Sequence, residues 1–191
     1  RRAMSKFFKS VWFKCIFVLL AIALVSGGLL AVFNDVLYVT PKERTGRAIK
    51  KIYGENKEYS IVFDKDNGDD VKEYDFGAIE KYYTVGEDKL FKATGYNGYK
   101  NGTVTLWIKV TAKDGKNVID KVILESYEKQ TLMSKLGNDY YDGFLKDVTD
   151  SYFTVDANGG DYSNPVSGAT KSATAGINAV NCVIKFLGGE K

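Results

Sequence analysis

From Cys15 to Phe33 no charged side chain interrupts a run of Ile, Leu, Val, Ala and Phe. A helix of this length spans about 28 Å at 1.5 Å per residue, roughly the hydrocarbon thickness of a bilayer. The pattern predicts a transmembrane helix over residues 15–36. Arg1, Arg2, Lys6, Lys9 and Lys14 precede it with no acidic residue among them. The positive-inside rule places this basic tail, residues 1–14, in the cytoplasm of a cell membrane and the remainder of the chain across it. A cleaved signal peptide is the alternative; the length of the apolar run argues against it. Next, Thr40-Pro41-Lys42-Glu43 supplies a cap residue, a proline for the first helical position and a glutamate for the third. A helix should follow to Tyr53, with Ala48, Ile49 and Ile52 turned inward and Gly54 ending it. Residues 37–58 are read as a linker built on this helix.

Beyond the linker the period changes. Tyr59–Phe63 reads as a strand. Residues 71–92 mix aromatic and charged side chains; Tyr82, Tyr83, Leu90 and Phe91 are expected in the core, with no element assigned. Residues 103–111 alternate, with Val104, Leu106, Ile108 and Val110 on one face. Asp114-Gly115 is a hairpin signal, and a second strand follows from Val118 to Tyr127. Residues 139–145 and 152–155 should close the fold. Ile177, Val180, Ile184 and Leu187 then form one helical stripe, and Gly188-Gly189 is a stop signal. Hairpin-linked strands followed by a helix predict an α+β domain over residues 59–191, with a mostly antiparallel sheet and flanking helices.

Charge and composition narrow the functions available. The chain carries 27 basic and 24 acidic side chains, and five of the basic ones lie in the N-terminal tail. The domain itself is therefore slightly acidic and has no basic run, which argues against nucleic-acid binding. The two cysteines, Cys15 and Cys182, fall in the apolar run and on the last helix, and give no disulfide framework or zinc spacing. The chain has no histidine. That excludes Ser-His-Asp and Cys-His catalysis; for an enzyme of this composition a cofactor is the expected source of the chemistry. Residues 64–70, Asp-Lys-Asp-Asn-Gly-Asp-Asp, invite a calcium reading. An EF-hand loop needs its glycine at the sixth position, however, and here it is the fifth, so a solvated turn is the reading adopted.

The stretch with most chemistry is Ser167-Gly168-Ala169-Thr170-Lys171-Ser172. Pro165 makes the approach extended. The helical stripe that follows puts Thr170 near a helix start, where unpaired N–H groups and a partial positive charge favour a phosphate. Gly168 and Ala169 leave room for a bulky group near the backbone. The same residues also suit an ordinary cap and loop.

Ser-Gly-Ala-Thr-Lys-Ser before an Ala/Val-rich helix resembles the flavinylation motif of the FMN-binding domain family. That family includes the G subunit of Rnf complexes and the C subunit of sodium-translocating NADH:quinone oxidoreductases. The resemblance covers about residues 95–188, together with the anchor arrangement. It implies that Thr170 carries FMN covalently through a phosphoester. Ser167, Gly168, Ala169, Lys171 and Ser172 would surround the phosphate, with the Ser172 hydroxyl as a further donor. The family usually has an aspartate six residues before the threonine; here it is Asn164. A second family segment, often Glu-Thr-Pro-Gly-Leu-Gly, lines the flavin. Gln130-Thr131 stands at its Glu-Thr place, and Leu132-Met133 replaces Pro-Gly. Otherwise Gln130 and Thr131 would simply cap a helix.

The function this implies is a membrane-anchored electron-transfer subunit of an ion-translocating ferredoxin:NAD oxidoreductase. Its partners would be the other membrane subunits of the Rnf complex, and a flavin transferase for maturation. The alternatives are the quinone-oxidoreductase C subunit, a flavin carrier on another electron-transfer route, and a non-enzymatic extracytoplasmic sensor or assembly module.

Overall fold

The computed structural model describes residues 11–37, 39–145, 152–153 and 168–188. The chain divides into two units, Arg1–Arg44 and Thr45–Lys191. The first contains α1 (Val11–Leu37). Its stretch Val11–Asn34 is long and apolar enough to cross a membrane. Trp12, Phe17, Leu24 and Leu30 are all exposed. The helix begins before the predicted boundary because Lys14, although charged, is a good helix former. α2 (Pro41–Tyr53) has the expected start. Thr40 Oγ1 accepts from Glu43 N at 3.2 Å, and Glu43 Oε2 accepts from Thr40 N at 2.9 Å. This reciprocal pairing satisfies two N–H groups that the helix leaves open.

The second unit is built on a six-stranded sheet whose pairings among the described residues are all antiparallel. Its strands are β1 (Ser60–Asp64), β2 (Lys72–Tyr74), β3 (Gly77–Val85), β4 (Asp88–Gly95), β5 (Val104–Lys113) and β6 (Lys116–Tyr127). The order is β1-β3-β4-β5-β6, and β2 pairs with β3 beyond the end of β1. β5 and β6 fall where alternation and the Asp-Gly turn predicted them, both slightly longer. Asp114 and Gly115 both have positive φ, the conformation a tight hairpin of this kind needs. β3 and β4 occupy the stretch to which no element was assigned. Their alternation is obscured by Glu80, Lys81, Lys89 and Lys92 and by a bulge between Ile79 and Lys81. A bulge adds one residue on one strand, so the in/out phase slips and a period-two reading fails.

Each face of this sheet is covered. On one, α4 (Thr170–Phe186) packs with Ile79, Phe91, Ala93, Val104, Leu106, Ile108 and Val110 into the main core. On the other, Ala48, Ile49 and Ile52 of α2 pack with Tyr83, Val85, Leu90 and Trp107. The predicted stripe of α4 is buried at Ile177, Val180 and Ile184, each contributing roughly 1.5–3 kcal/mol. Small residues supply the rest of its contact face: Ala173, Ala175, Gly176 and Ala179. They let the helix backbone come down onto β4, where a Cβ on Gly95 would overlap the carbonyl oxygen of Ala175.

Residues beside α4 fix its long axis. A short helix, α3 (Asn138–Asp142), carries the buried Tyr140, and Phe144 follows it into the core. Tyr140 Oη donates to Ala173 O at 2.8 Å, and the absent side chain of Gly176 makes room for the phenol. Asn181 Oδ1 accepts from Phe153 N at 2.9 Å, and its Nδ2 donates to Phe153 O at 2.8 Å. One amide thus holds the 152–153 segment as a neighbouring strand would. The rest of that expected closing segment lies outside the described residues.

Candidate functional site

Ser167 and Asn164 lie outside the described residues. From Gly168 onward the motif is built as follows. Gly168 has φ +82°, in the left-handed region, and a Cβ there would stand 3.1 Å from Lys135 Nζ. A side chain at this position would be strained and would meet the lysine. Ala169 is the cap residue; it is buried and forms no side-chain cap bond among the described residues. Its carbonyl accepts from Ala173 N at 2.9 Å, closing the first turn. The N–H groups of Thr170, Lys171 and Ser172 therefore precede the first intrahelical donor. Thr170 and Lys171 are exposed. Thr170 is thus the first residue of the helix and open to solvent.

The second predicted segment lies beside it. Residues 168–172, Thr131, Leu132 and Tyr99 together line one cavity of about 290 Å³. Two stretches some forty residues apart in sequence, each singled out by its motif, thus share one concavity. The join is a hydrogen bond: Ser172 Oγ donates to Gln130 Oε1 at 2.8 Å, within the protein. That hydroxyl is committed to Gln130, so an anion near Thr170 would find the Ser172 N–H rather than its side chain. Gln130 itself is buried and fully engaged. Its Oε1 also accepts from Tyr99 N at 3.0 Å, and its Nε2 donates to Glu128 O at 2.9 Å and to Tyr99 O at 3.4 Å. Gln130 braces the walls, whereas Thr131 and Leu132 face the opening. No helix starts at Thr131; the chain makes only a 3-10 turn, Met133–Lys135.

Motif reading did not identify Tyr99 or Lys135, and it gave Leu132 only as a departure from the family segment. Residues 95–102, Gly-Tyr-Asn-Gly-Tyr-Lys-Asn-Gly, read as a turn-rich loop, yet nothing in them marks Tyr99. Lys135 comes near Gly168 only through the turn that follows Leu132.

One other polar cluster and one buried cysteine lie outside this cavity. Lys81, on β3, is buried and its ammonium fills the acidic loop: 2.9 Å from Asp64 Oδ1 and 2.6 Å from Asp66 Oδ2. Tyr83 Oη donates to Asp64 Oδ2, and Thr45 Oγ1 lies 3.3 Å from the same phenol. The Lys81 ammonium thus pairs with two of the loop's four aspartates, and residues 65–67 form a 3-10 turn ended by Gly68. Burial opposes the charge on Asp64, yet hydrogen bonds from Tyr83 and Lys81 hold its carboxyl below the usual range. Burial likewise opposes the Lys81 charge, and Asp66 and Asp64 outweigh it and hold the ammonium above the usual lysine range. Cys182 is buried in the core, and burial pushes its thiol up to about 12. Such a thiol is inert near neutrality. No group of three or more His, Cys, Asp or Glu side chains suited to a metal occurs among the described residues.

No protein-family model matches this chain, and no curated protein or solved structure does.

Proposed function

We propose that the chain is a membrane-anchored flavoprotein that carries FMN through a phosphoester on Thr170, and that it serves as an electron-transfer subunit of an Rnf-type complex. The observation that carries the reading is the shared cavity: the accessible Thr170 hydroxyl, the open N–H groups of its turn and the Thr131-Leu132 segment meet at one place. The residues suit the group. A phosphodiester needs hydrogen-bond donors and compensating positive charge. The first turn of α4 offers both, and the Lys135 ammonium comes close to Gly168. A cavity of about 290 Å³ is at the lower end for small-molecule sites, so it would enclose the phosphate end and leave much of the ring system accessible to partners.

When attached, FMN supplies one- and two-electron redox chemistry that no side chain here provides. The protein's part is to hold the phosphate end at the helix start, and to keep the flavin at high local concentration near its partners. α1 supports an anchor, and the basic residues before it support a cytoplasmic N-terminus with residues 59–191 outside. Ion movement would belong to the other membrane subunits, because α1 offers no buried ionisable pathway of its own. Modification would need a flavin transferase.

The test is in-gel ultraviolet fluorescence of denatured protein from a host with an active flavin transferase. Wild type should fluoresce and Thr170→Val should not. A dark wild-type band would favour the sensor or assembly reading, and Asn164→Asp would then be the first change to make.

A further inference from the structure

Both ends of the Gln130 amide reach one short loop, beside their bonds to Ser172 and Glu128. Both its bonds to Tyr99 go to that residue's backbone, one to N and one to O. The loop closes on itself through Gly98 N to Gly102 O and Gly102 N to Tyr99 O, each 2.9 Å. A Cβ on either glycine would lie 2.5 Å from Gln130 Nε2, so both positions are kept bare for this amide. Within these few residues Asn97, Lys100 and Asn101 all have positive φ. Left-handed backbone at non-glycine residues carries a cost that surrounding contacts must offset. The result of this expense is the placement of one side chain. Tyr99 is 39% exposed, and among the described residues it is the one aromatic side chain lining the Thr170 cavity.

We propose that Tyr99 is the surface against which the flavin ring system rests, and that Gln130 is the positioning residue that aims it. This rests on the flavin reading of Thr170. A planar aromatic ligand tethered at the helix start can gain from offset stacking on a rigid phenol. The Lys100 ammonium lies over the Tyr99 ring, 5.5 Å from its centroid, so a flavin would stack on the ring's other face. Because Ser172 shares the Gln130 acceptor with Tyr99, the same amide registers the platform against the helix that bears the attachment.

The experiment compares wild type, Tyr99→Leu, Tyr99→Phe, Gln130→Leu and the Tyr99→Leu/Gln130→Leu double variant, each as full-length protein from a flavinylating host. Intact mass gives covalent flavin content. Flavin fluorescence, native against unfolded, and visible circular dichroism report contact with the ring. A stacked phenol quenches an excited flavin, so wild type should be dim when native and brighten severalfold when unfolded. Tyr99→Leu should be bright in both states at equal flavin content. Tyr99→Phe should be bright but keep the wild-type dichroism, since a phenyl ring stacks without donating an electron. Gln130→Leu should reproduce Tyr99→Leu, and the double variant should add nothing. If Gln130→Leu does not fold, the two Tyr99 variants decide the proposal. Equal flavin content with wild-type fluorescence ratio and dichroism in Tyr99→Leu overturns the Tyr99 assignment and leaves the attachment intact. Unmodified mass in wild type overturns both.

Discussion

Thr170 is the side chain on which the functional reading depends, and it is well separated from anything that holds the fold. It is exposed on the first helical position of α4. Thr170→Val keeps its shape and removes the hydroxyl, so stability should change by no more than ~0.5 kcal/mol in urea titration. Covalent flavin should be lost completely. Lys81 is the opposite case. It has no access to a ligand, and its ammonium compensates a carboxylate that is only 7% exposed. Lys81→Met leaves Asp64 buried without its cation and should cost about 3 kcal/mol by the same titration. Flavin content in the surviving folded fraction should be unchanged, since the pair lies in a different cluster from the cavity. A variant with both effects would mean that the two clusters are coupled.

Among the elements, α4 joins fold and site: its first turn carries the motif and its small-residue face sits directly on β4. Gly95→Ala should force the helix off the strand, because the new methyl meets main chain that no side-chain rotation can move aside. A loss of about 3 kcal/mol is expected, at the upper end for overpacking. Cavity-dependent flavinylation should fall with it. α1, α2, α4 and β5–β6 were legible because each signal was local: an apolar run, capping residues, a period, an Asp-Gly turn; α3 fell in a stretch to which no element was assigned. β3 and β4 were not, because charged residues on the α2 side of the sheet are buried through partners distant in sequence. Lys81 meets Asp64, and Lys92 meets Glu80 at 3.2 Å. Those pairings exist only once the strands are in register. The site was half legible for the same reason. Gly168, Ala169, Thr170 and Thr131 are read from motif residues, whereas Tyr99 reaches the cavity and Lys135 approaches Gly168 through loop geometry, and the bracing role of Gln130 depends on partners at 99 and 172.

For the molecule taken together, the ionisable groups set a broad stability plateau. Asp64 has its carboxyl held low, so its contribution is complete above the ordinary carboxylate range and is lost as pH falls through the lowered value. Lys81 is held high, so its contribution is complete below the ordinary lysine range and is lost as pH rises through the raised value. Burial, followed by Asp64, raises the Tyr83 phenol, which acts in the same direction. The urea midpoint should therefore be flat for these groups between about pH 5 and 9, and should fall below about pH 4 and above about pH 10. Lys81→Met should weaken the alkaline fall. The exposed apolar length of α1 makes a separate prediction. The protein should stay with membranes through an alkaline carbonate wash and be released by detergent. Release by carbonate alone would argue against a spanning helix.

Intact mass of denatured full-length protein from a flavinylating host, followed by peptide mapping, is the most direct test of the flavin assignment. Attachment of FMN with loss of water adds about 438 Da from cofactor chemistry, and the added mass should map to the peptide containing Thr170. An unmodified mass, or an addition that persists in Thr170→Val, would contradict the assignment.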